Sequence, residues 1–347
     1  MEKIKIAFIG LGRMGITHLS ILNSNPFVEV SSASDPSKVM KIFFNKYFPA
    51  IKLYDDYKEL IEKENPAALI ISTPPNLHFD IIKSAVEEGI HIFCEKPFTL
   101  SAEQSAELAE IAVQKGIVNQ VGYVNRYNDM FIKAKEFIEN NVIGKVIRFK
   151  SEMFSYTISK EDEEEGWRGK EESGGGCLNE MGSHAIDLVN YLIGVPDSVS
   201  GSTVNKVYSK NVDDIVSTTF NYIDGIAGTL YVNWCDPSYR KPSNKLEIFG
   251  KEGKILVDQH DLKIFLKEPN EKYNLKKGWN TVYITDVFNN VPFYVRGNEF
   301  TSQLYGFIES INNKEYKSLC TFKDASHTQK ILKMIRDDFN QKGGYDG

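Results

Sequence analysis

Short apolar runs alternate with amphipathic stretches through the first third of the chain. Five mainly apolar runs have the length and composition of buried parallel strands: residues 4–9, 28–34, 68–72, 90–94 and 117–123. Apolar residues recur at helical spacing in residues 16–24, 78–88 and 101–115, and the last stretch begins with a capping-box pattern and ends at Gly116. This alternation predicts a doubly wound parallel sheet, an α/β domain over residues 1–122.

The pattern changes near Lys145. Six strand-like stretches follow one another with turn signals such as Asp224-Gly225 between them: residues 146–154, 215–223, 227–235, 245–250, 253–258 and 262–267. Helical patterns return at residues 299–312 and 324–339. We therefore expect a second, α+β domain over residues 123–347, with an open-faced, mainly antiparallel sheet that serves substrate binding and oligomerisation.

Composition narrows the classes of function. The 347 residues, 41% apolar and 25% charged, suffice for about two globular domains. The net charge of −6, with both signs intermixed, argues against a nucleic-acid partner. Every apolar run is far shorter than the ~20 residues of a membrane span, and we expect no signal peptide. The four cysteines are isolated, which predicts reduced thiols, a cytoplasmic protein and no metal site.

Glycines follow the first apolar run in the pattern G-x-G-x-x-G. Gly10, Gly12 and Gly15 form "GLGRMG", and a helical pattern comes next. In dinucleotide-binding folds the first glycine permits a tight turn, the second lets a pyrophosphate approach, and the third lets the helix pack on the strand. The free N–H groups of the helix N-terminus then favour phosphate. The spacing alone is weak evidence, and its position between strand and helix strengthens it.

Asp35 ends the second apolar run, twenty residues beyond Gly15. A carboxylate there accepts hydrogen bonds from a ribose 2′-hydroxyl and repels a 2′-phosphate, so Asp35 predicts NAD over NADP. The neighbouring Ser34 and Lys38 leave NADP open. Asp35 with Pro36 would also suit a turn or the start of the next helix.

Two further segments belong at the cofactor cleft, because ligands of such sheets bind beyond the carboxyl ends of the strands. The segments are Thr73, Pro74 and Pro75 after the third run, and Glu95 and Lys96 of "CEKP" after the fourth. His78 either contacts the cofactor or merely begins the next helix.

A polar stripe lies on the helix predicted after the triple glycine of residues 174–176. Glu180, His184, Asp187 and Tyr191 recur at spacings of three and four, facing away from an apolar stripe. The glycines, including Gly182 within the helix, favour a functional surface over a solvated one. A carboxylate beside an imidazole can fix its tautomer and raise its pKa, so Glu180 and His184 are candidates for proton transfer.

Trp167 and Arg168 precede these glycines. Arg168 could hold a phosphate or a sugar hydroxyl of a ligand. It could instead pair with the acidic run at residues 161–165.

Motifs along nearly the whole chain occur in a recognisable order. They are "GLGRMG", Asp35, "TPPNLH", "CEKP", "YVNRYN", "WR", "GGGCLNEMGSHAID" and "FGKEGKILVD". In order and spacing they resemble the glucose-fructose oxidoreductase and inositol dehydrogenase family, Gfo/Idh/MocA. "EKP" joined to "GGG…G-x-H-x-x-D" is much more specific than the glycine fingerprint.

The resemblance implies a Rossmann domain, an open-faced sheet domain, a tightly held NAD or NADP, and a cis Lys96–Pro97 bond. It assigns Lys96 and His184 as the active-site lysine and histidine. Glu180 stands where many members have aspartate, which leaves its share in proton transfer open. The positions expected to contact the cofactor are Gly10, Gly12, Arg13, Met14, Gly15, Asp35, Thr73, Pro74, Pro75, His78, Glu95, Lys96 and Arg168, and those expected to contact substrate are Tyr123, Asn125 and Arg126.

The resemblance further implies an NAD(P)-dependent dehydrogenase or reductase acting on CH–OH groups. Hydride would pass between nicotinamide C4 and a secondary hydroxyl or keto carbon of a sugar, polyol or derivative, and we expect a homodimer or homotetramer. Two alternatives share the fold: an NAD-dependent glycosidase and a non-catalytic NAD-binding regulator. The presence of both Lys96 and His184 argues against the regulator.

Overall fold

The computed structural model describes residues 3–160, 166–292, 297–341 and 343, and divides the chain into two compact units. The first comprises Met1–Val124 and Asn290–Ser326, and the second comprises Asn125–Asn289 and His327–Gly347. The boundary thus follows residue 124 rather than residue 122. Residues 290–326, which we expected in the second domain, pack with the first.

The first unit is built on a six-stranded sheet in the order β3-β2-β1-β4-β5-β6, with every pair of neighbours parallel. The strands are β1 (Ile4–Ile9), β2 (Val28–Ser34), β3 (Lys52–Tyr54), β4 (Ala68–Ile71), β5 (His91–Cys94) and β6 (Asn119–Val121). Its first five helices are α1 (Arg13–Leu22), α2 (Lys38–Tyr47), α3 (Tyr57–Glu64), α4 (His78–Glu87) and α5 (Ala102–Lys115).

The second unit contains an eight-stranded sheet in the order β14-β13-β12-β11-β7-β10-β9-β8, in which only the β7–β10 pair is parallel. The helices of the remaining chain are α6 (Asp129–Glu139), α7 (Ser183–Leu192), α8 (Ile284–Val287), α9 (Asn298–Asn312) and α10 (Phe322–Asn340). The strands are β7 (Val146–Phe154), β8 (Ser198–Asn205), β9 (Ile215–Asn221), β10 (Ala227–Asn233), β11 (Ser243–Gly250), β12 (Gly253–Val257), β13 (Asp261–Leu266) and β14 (Gly278–Tyr283). The expected fold class is confirmed for both sheets.

Two apolar cores cover the two faces of the parallel sheet. Alternate residues of β1 point to opposite sides, so that Ile6 and Phe8 enter one core and Ala7 and Ile9 the other. Helix α9 supplies Leu304, Phe307 and Ile308 to the first of these cores, and the Phe307 ring meets Phe93 of β5 edge to face at 6.0 Å. This packing is why α9 belongs to the first unit.

The sheet of the second unit has one covered and one open face. Leu246, Ile248, Ile255 and Ile264 point into a core shared with α6, α7 and α10. Residues on the opposite side include large exposed side chains: Phe249, Phe265, Trp279 and Tyr283. The expected open face is therefore present.

A buried carboxylate supports the edge of the parallel sheet, and it gives a pH-dependent stability. Glu64 Oε1 accepts hydrogen bonds from Tyr54 Oη at 2.6 Å and Lys52 Nζ at 2.9 Å, while Lys5 Nζ lies 3.1 Å from Oε2. The bond from Tyr54 and then that from Lys52 lower the pKa of Glu64 to about 2. The unfolded value is higher, so this stabilisation is present above about pH 4.5 and is lost as pH falls towards 2.

We expect Glu64→Gln to lower the free energy of unfolding by about 1 kcal/mol at neutral pH, since the lysines are partly exposed and screened. The variant should also lose less stability than the wild type between pH 5 and pH 2. Urea titrations across this range measure both effects. Parallel pH curves for the two proteins would contradict the prediction.

Candidate functional site

The glycines of the fingerprint shape the turn between β1 and α1. Gly10 has a φ of +88°, and a Cβ there would lie 2.9 Å from the carbonyl group of Ser72. A Cβ on Gly15 would lie 2.1 Å from the carbonyl oxygen of Gly10, so only glycine lets α1 approach this closely. At Gly12 an added Cβ would meet nothing within 4 Å. The backbone is therefore open where a pyrophosphate would meet the N-terminus of α1.

Asp35 lies at the carboxyl end of β2 and braces the same turn. Its Oδ2 accepts a hydrogen bond from the backbone N–H of Leu11 at 2.7 Å, and its Oδ1 accepts one from Ser37 at 2.8 Å. Ser37 in turn caps α2. Each carboxylate oxygen can accept a second bond, so the turn contacts and a ribose contact are compatible.

The segment after β4 presents two shielded hydroxyl groups. Ser72 Oγ and Thr73 Oγ1 have no hydrogen-bond partner among the described residues. Buried hydroxyl groups normally find one, and the phosphates and hydroxyls of a dinucleotide would supply it. Together with the glycine turn, these groups show that the residues fit NAD(P). Pro74 is exposed and Pro75 buried in this segment.

The remaining predicted contacts of this kind, Arg13 and Met14, form the first turn of α1. Arg13 is exposed and Met14 is half-buried. They lie at the helix end where the glycine turn opens, and their contact with cofactor stays a prediction.

The turn after β5 holds Glu95 inside the unit and leaves Lys96 partly exposed. Glu95 is 8% exposed, and its Oε1 lies 2.6 Å from Nε2 of His18 on α1. Its Oε2 accepts the backbone N–H of Lys96 at 3.2 Å. Burial would raise the pKa of Glu95, but the hydrogen bond with His18 and the nearby Lys96 ammonium outweigh it and lower that pKa. The structure thus pairs Glu95 with His18, and its contact with the cofactor stays a prediction.

The Lys96–Pro97 peptide bond is cis, as the resemblance implies. The adjoining Cys94 is fully buried at the end of β5. Burial raises the pKa of its thiol well above the ordinary value, which makes Cys94 an apolar core residue.

His78 is the first residue of α4 and is fully buried. Its Nε2 lies 2.9 Å from the carbonyl oxygen of Thr73, and its Nδ1 lies 3.0 Å from that of Pro97 and 3.2 Å from that of Phe98. Burial lowers the pKa of His78, against the effect of these carbonyl groups. His78 is therefore more than a helix start: it joins the segment after β4 to the turn after β5.

In the second unit, the triple glycine lets two segments approach each other closely. A Cβ on Gly175 would lie 2.2 Å from the carbonyl oxygen of Arg168. Gly176 has a φ of +101°, and a Cβ there would lie 2.5 Å from the carboxylate of Asp213. Asp213 Oδ2 accepts the N–H of Leu178 at 2.5 Å, which fixes the start of the next helix.

Glu180 is held by Arg168. The guanidinium donates to Glu180 Oε1 from Nη2 at 3.0 Å and from Nε at 3.3 Å, and its centre lies 4.6 Å from the Trp167 ring. Arg168 was expected to hold a cofactor phosphate or sugar, or to pair with residues 161–165. The structure gives it Glu180, and residues 161–165 lie outside the described part of the chain.

A π-helical turn, Leu178–Gly182, carries Glu180 and leads into α7, whose second residue is His184. A Cβ on Gly182 would lie 3.0 Å from Leu178 Cδ1. Such turns change the register of a helix face and often occur at functional sites. The spacing of Glu180 and His184, which we derived from a regular α-helix, therefore differs in the structure. His184 is half-buried.

The three expected substrate contacts differ in their placement. Tyr123 is fully buried in the core of the first unit. Arg126, 4% exposed, donates from Nε and Nη2 to both carboxylate oxygens of Asp187, at 2.9 and 2.8 Å. Packing and this ion pair account for both residues without a substrate. Asn125 is half-buried and is the one of the three whose exposure suits a substrate contact.

His18 was not among the site residues predicted from the sequence. Its position on the inward face of α1, three residues after Gly15, and the scarcity of histidine were signals that could have drawn attention to it. Within the described residues, no group of three or more metal-ligating side chains could hold a metal ion. None of the helices in the described ranges is long and apolar enough to span a bilayer.

Comparison with known proteins identifies the family. A model described as an oxidoreductase family with an NAD-binding Rossmann fold matches residues 4–123, and the GFO/IDH/MocA C-terminal domain matches residues 131–256. The chain belongs to the Gfo/Idh/MocA family of NAD(P)-binding oxidoreductases. This confirms the resemblance drawn from the motifs.

Two curated relatives illustrate the family. An uncharacterized oxidoreductase of Schizosaccharomyces pombe is 30% identical over 233 residues, which are 64% of this chain and 61% of that protein. The chain thus spans less than two thirds of that relative. The scyllo-inositol 2-dehydrogenase (NAD(+)) of Bacillus subtilis is 29% identical over 264 residues, 74% of each chain.

A solved structure shows the same fold. Levoglucosan dehydrogenase in complex with NADH and levoglucosan matches with a TM-score of 0.87 at 21% identity, over 98% of both chains. At this identity the likeness establishes the fold alone.

Proposed function

We propose that this protein is an NAD-dependent dehydrogenase that oxidises a secondary hydroxyl group of a sugar, polyol or sugar derivative, or reduces the corresponding ketone. The observation that carries the proposal lies within the first unit. Gly10 packs on Ser72 of the segment after β4, and His78 joins that segment to the turn bearing Lys96. A partly exposed lysine thus lies at the same end of the parallel strands as the glycine turn to which we assign dinucleotide binding.

Lys96 is the group that acts on the reacting hydroxyl. NAD, when bound, supplies the hydride acceptor at nicotinamide C4. An alkoxide expels hydride far better than an alcohol does, so the hydroxyl must lose its proton as the hydride leaves. Lys96 either takes this proton or stabilises the alkoxide as an ammonium.

His184 serves as the base or proton relay in this proposal. Histidine is the side chain most often used for general acid–base catalysis, and His184 is half-buried near the start of α7. Glu180, held by Arg168, contributes a fixed negative charge and an acceptor for a substrate hydroxyl. Glu180 has one methylene group more than aspartate, and its carboxylate is held by this guanidinium.

Asp35 supports NAD as the preferred cofactor. The carboxylate of Asp35 is anchored by the N–H groups of Leu11 and Ser37, so it cannot swing away from a 2′-phosphate without losing both bonds. Asp35→Asn keeps an acceptor oxygen and removes the charge. We expect it to raise the ratio of kcat/KM with NADP to kcat/KM with NAD by about tenfold. Glu29→Gln, on the same strand and exposed, is the control. An unchanged ratio in Asp35→Asn would contradict the role of its charge.

The substrate class rests on the relatives. One is named for scyllo-inositol, and the solved relative is bound to levoglucosan in one complex and to L-sorbose in another. All three compounds carry several hydroxyl groups on a compact carbon skeleton. We therefore propose a small polyhydroxylated substrate for this chain.

The test is a panel of sugars, inositols and their derivatives incubated with purified protein and NAD, with NADH absorbance as the readout. We expect NADH to accumulate with at least one compound. Release of an aglycone from a glycoside without NADH would instead support the glycosidase. NAD binding with no turnover of any compound in either direction would support the regulator.

A homo-oligomer is part of the proposal, formed by the open sheet faces of two copies. Phe265 and Trp279 stand opposite each other on this face with rings 5.5 Å apart, and Trp279 is 56% exposed. Lys254 pairs with Glu247 at 2.5 Å on the same face, so these two charges are compensated within the chain. Aromatic groups clustered in this way are unusual on a monomer.

Sedimentation measurements test this surface. We expect the wild type to have a mass that is two or four times 39.4 kDa, and Trp279→Glu to dissociate it while its circular dichroism is retained. Val113→Glu, an exposed apolar residue on α5 of the other unit, is the control. A monomeric wild type would refute the oligomer.

The cytoplasm is the proposed location. All four cysteines are buried thiols outside any disulfide, as expected for a protein kept in a reducing compartment.

A further inference from the structure

We propose that His18 and His78 are positioning residues that hold the backbone of Lys96 in place, one on each side. The inference rests on the catalytic role proposed above for Lys96. Neither histidine need touch the substrate for this role. Each acts through a neighbour of Lys96 in the chain, His18 through Glu95 and His78 through Pro97.

On the N-terminal side, His18 holds the Glu95 carboxylate. His18 Nδ1 is shielded from solvent and has no hydrogen-bond partner among the described residues. Nε2, which lies 2.6 Å from Glu95 Oε1, is therefore the ring nitrogen through which His18 holds Glu95. The ring itself is fixed by Phe93, which it meets edge to face at 5.2 Å.

The Glu95 carboxylate has little room to move. A Cβ on Gly122 would lie 3.1 Å from its carboxylate atoms, so the backbone of Gly122 closes one side. Its Oε1 faces His18, and its Oε2 accepts the backbone N–H of Lys96. The backbone N–H of Lys96 is therefore positioned by Glu95, which is itself held by His18 of α1.

On the C-terminal side, His78 holds the carbonyl group of Pro97. The ring lies between the carbonyl oxygens of Thr73 and Pro97, at 2.9 and 3.0 Å, and is fully buried. Because His78 itself follows the segment after β4 in the chain, a hydrogen bond from its ring to Pro97 ties the turn after β5 to that segment, which also packs against Gly10. The two histidines thus connect the turn that carries Lys96 to two elements. His18 connects it to α1, and His78 connects it to the segment after β4.

This arrangement matters because a lysine side chain has four rotatable carbons and is aimed only as well as its backbone is fixed. Catalytic groups need a supporting shell, and a misplacement of about 1 Å can lower the rate of the chemical step by about a hundredfold. Loosening the turn should therefore lower kcat more than it weakens binding of the dinucleotide.

Paired substitutions test the two histidines, because glutamine and asparagine replace different ring nitrogens. The amide nitrogen of glutamine reaches the position of Nε2, and that of asparagine the position of Nδ1. His18 uses Nε2, so His18→Gln should retain a larger share of kcat than His18→Asn. His78 uses Nδ1 towards Pro97, so His78→Asn should retain a larger share than His78→Gln. We expect a difference of about tenfold within each pair.

His91 provides the control. It is the first residue of β5, and Lys96 lies just beyond the other end of that strand. Its Nδ1 accepts the backbone N–H of Val118 at 3.1 Å. His91→Gln should lower the melting temperature while leaving kcat unchanged. For every variant, kcat, KM, the melting temperature and the Kd of NADH from fluorescence titration are measured.

The outcomes separate the inference from the proposed function. Lys96→Ala is measured alongside: turnover like that of the wild type would overturn the proposed function and this inference together. Loss of turnover in Lys96→Ala with equal kcat within both histidine pairs would overturn the inference alone. Losses of kcat that merely follow the melting temperature, in the histidine pairs and in His91→Gln alike, would also overturn it. The opposite preferences of the two pairs support it.

Discussion

Replacing Lys96 by alanine is expected to lower kcat by about a thousandfold or more while the Kd of NADH changes by less than about threefold. The reason is chemical: the alanine variant lacks the amine that, in the proposed mechanism, takes the hydroxyl proton or stabilises the alkoxide. The substitution leaves intact the turn of Gly10 to Gly15 and its contact with Asp35, to which we assign dinucleotide binding. Steady-state kinetics with an active substrate and NADH fluorescence titration measure the two quantities.

Two further variants sharpen this prediction. Lys83→Ala removes an exposed lysine of α4 that pairs with Glu107 at 2.7 Å, and it should leave kcat unchanged. Lys96→Arg keeps the positive charge but cannot accept a proton, so it separates charge stabilisation from proton transfer. Near-normal kcat in Lys96→Ala would remove Lys96 from the mechanism.

Breaking the buried ion pair of the second unit is expected to have the largest effect on stability. Asp187→Ala should lower the free energy of unfolding by about 3–5 kcal/mol, because it removes the carboxylate that pairs with the buried Arg126 guanidinium. Arg126 and Asp187 are 4% and 1% exposed and are joined by two hydrogen bonds. Urea denaturation followed by fluorescence measures the change.

An exposed pair of the same unit serves as the comparison. Lys333 and Asp337 lie 2.7 Å apart on α10 and are about half exposed, so Asp337→Ala should cost less than about 1 kcal/mol. Replacing both Arg126 and Asp187 by leucine should cost less than Asp187→Ala alone. Equal losses for Asp187→Ala and Asp337→Ala would show that the buried pair has no special weight.

The strongly apolar elements were predictable from the sequence because burial dictates their pattern. Residues 146–154 were expected as a strand, and β7 spans Val146–Phe154. The strands that the pattern did not indicate, β3, β8 and β14, all lie at sheet edges. Edge strands are covered on fewer sides, and β8 reads "SVSGSTVN", with too few apolar residues to stand out.

The partner of an amphipathic helix is harder to predict than the helix itself. The pattern indicated α9 within a few residues, yet its assignment to the first unit follows from long-range contacts such as that of Phe307 with Phe93. A local pattern shows which face of a helix is apolar. It does not show which core that face enters.

The candidate site divides along the same line. Ligands of parallel sheets bind beyond the carboxyl ends of the strands, and this rule indicated Asp35 and Lys96. Topology alone brings both positions to that end of the sheet. The pairing of His18 with Glu95 joins residues 77 positions apart, and no local signal announces it. The Arg168–Glu180 pair depends on the π-helical turn at Leu178–Gly182, a departure from regular spacing that helical periodicity cannot anticipate.

The central claim is that hydride passes from a carbinol carbon of the substrate to the nicotinamide ring. Its most direct test uses an active substrate carrying deuterium at the reacting carbon, with the NADH formed analysed by mass spectrometry. The account predicts one deuterium in each reduced cofactor and a slower rate with the labelled substrate. NADH free of deuterium, with the label released to water, would contradict it.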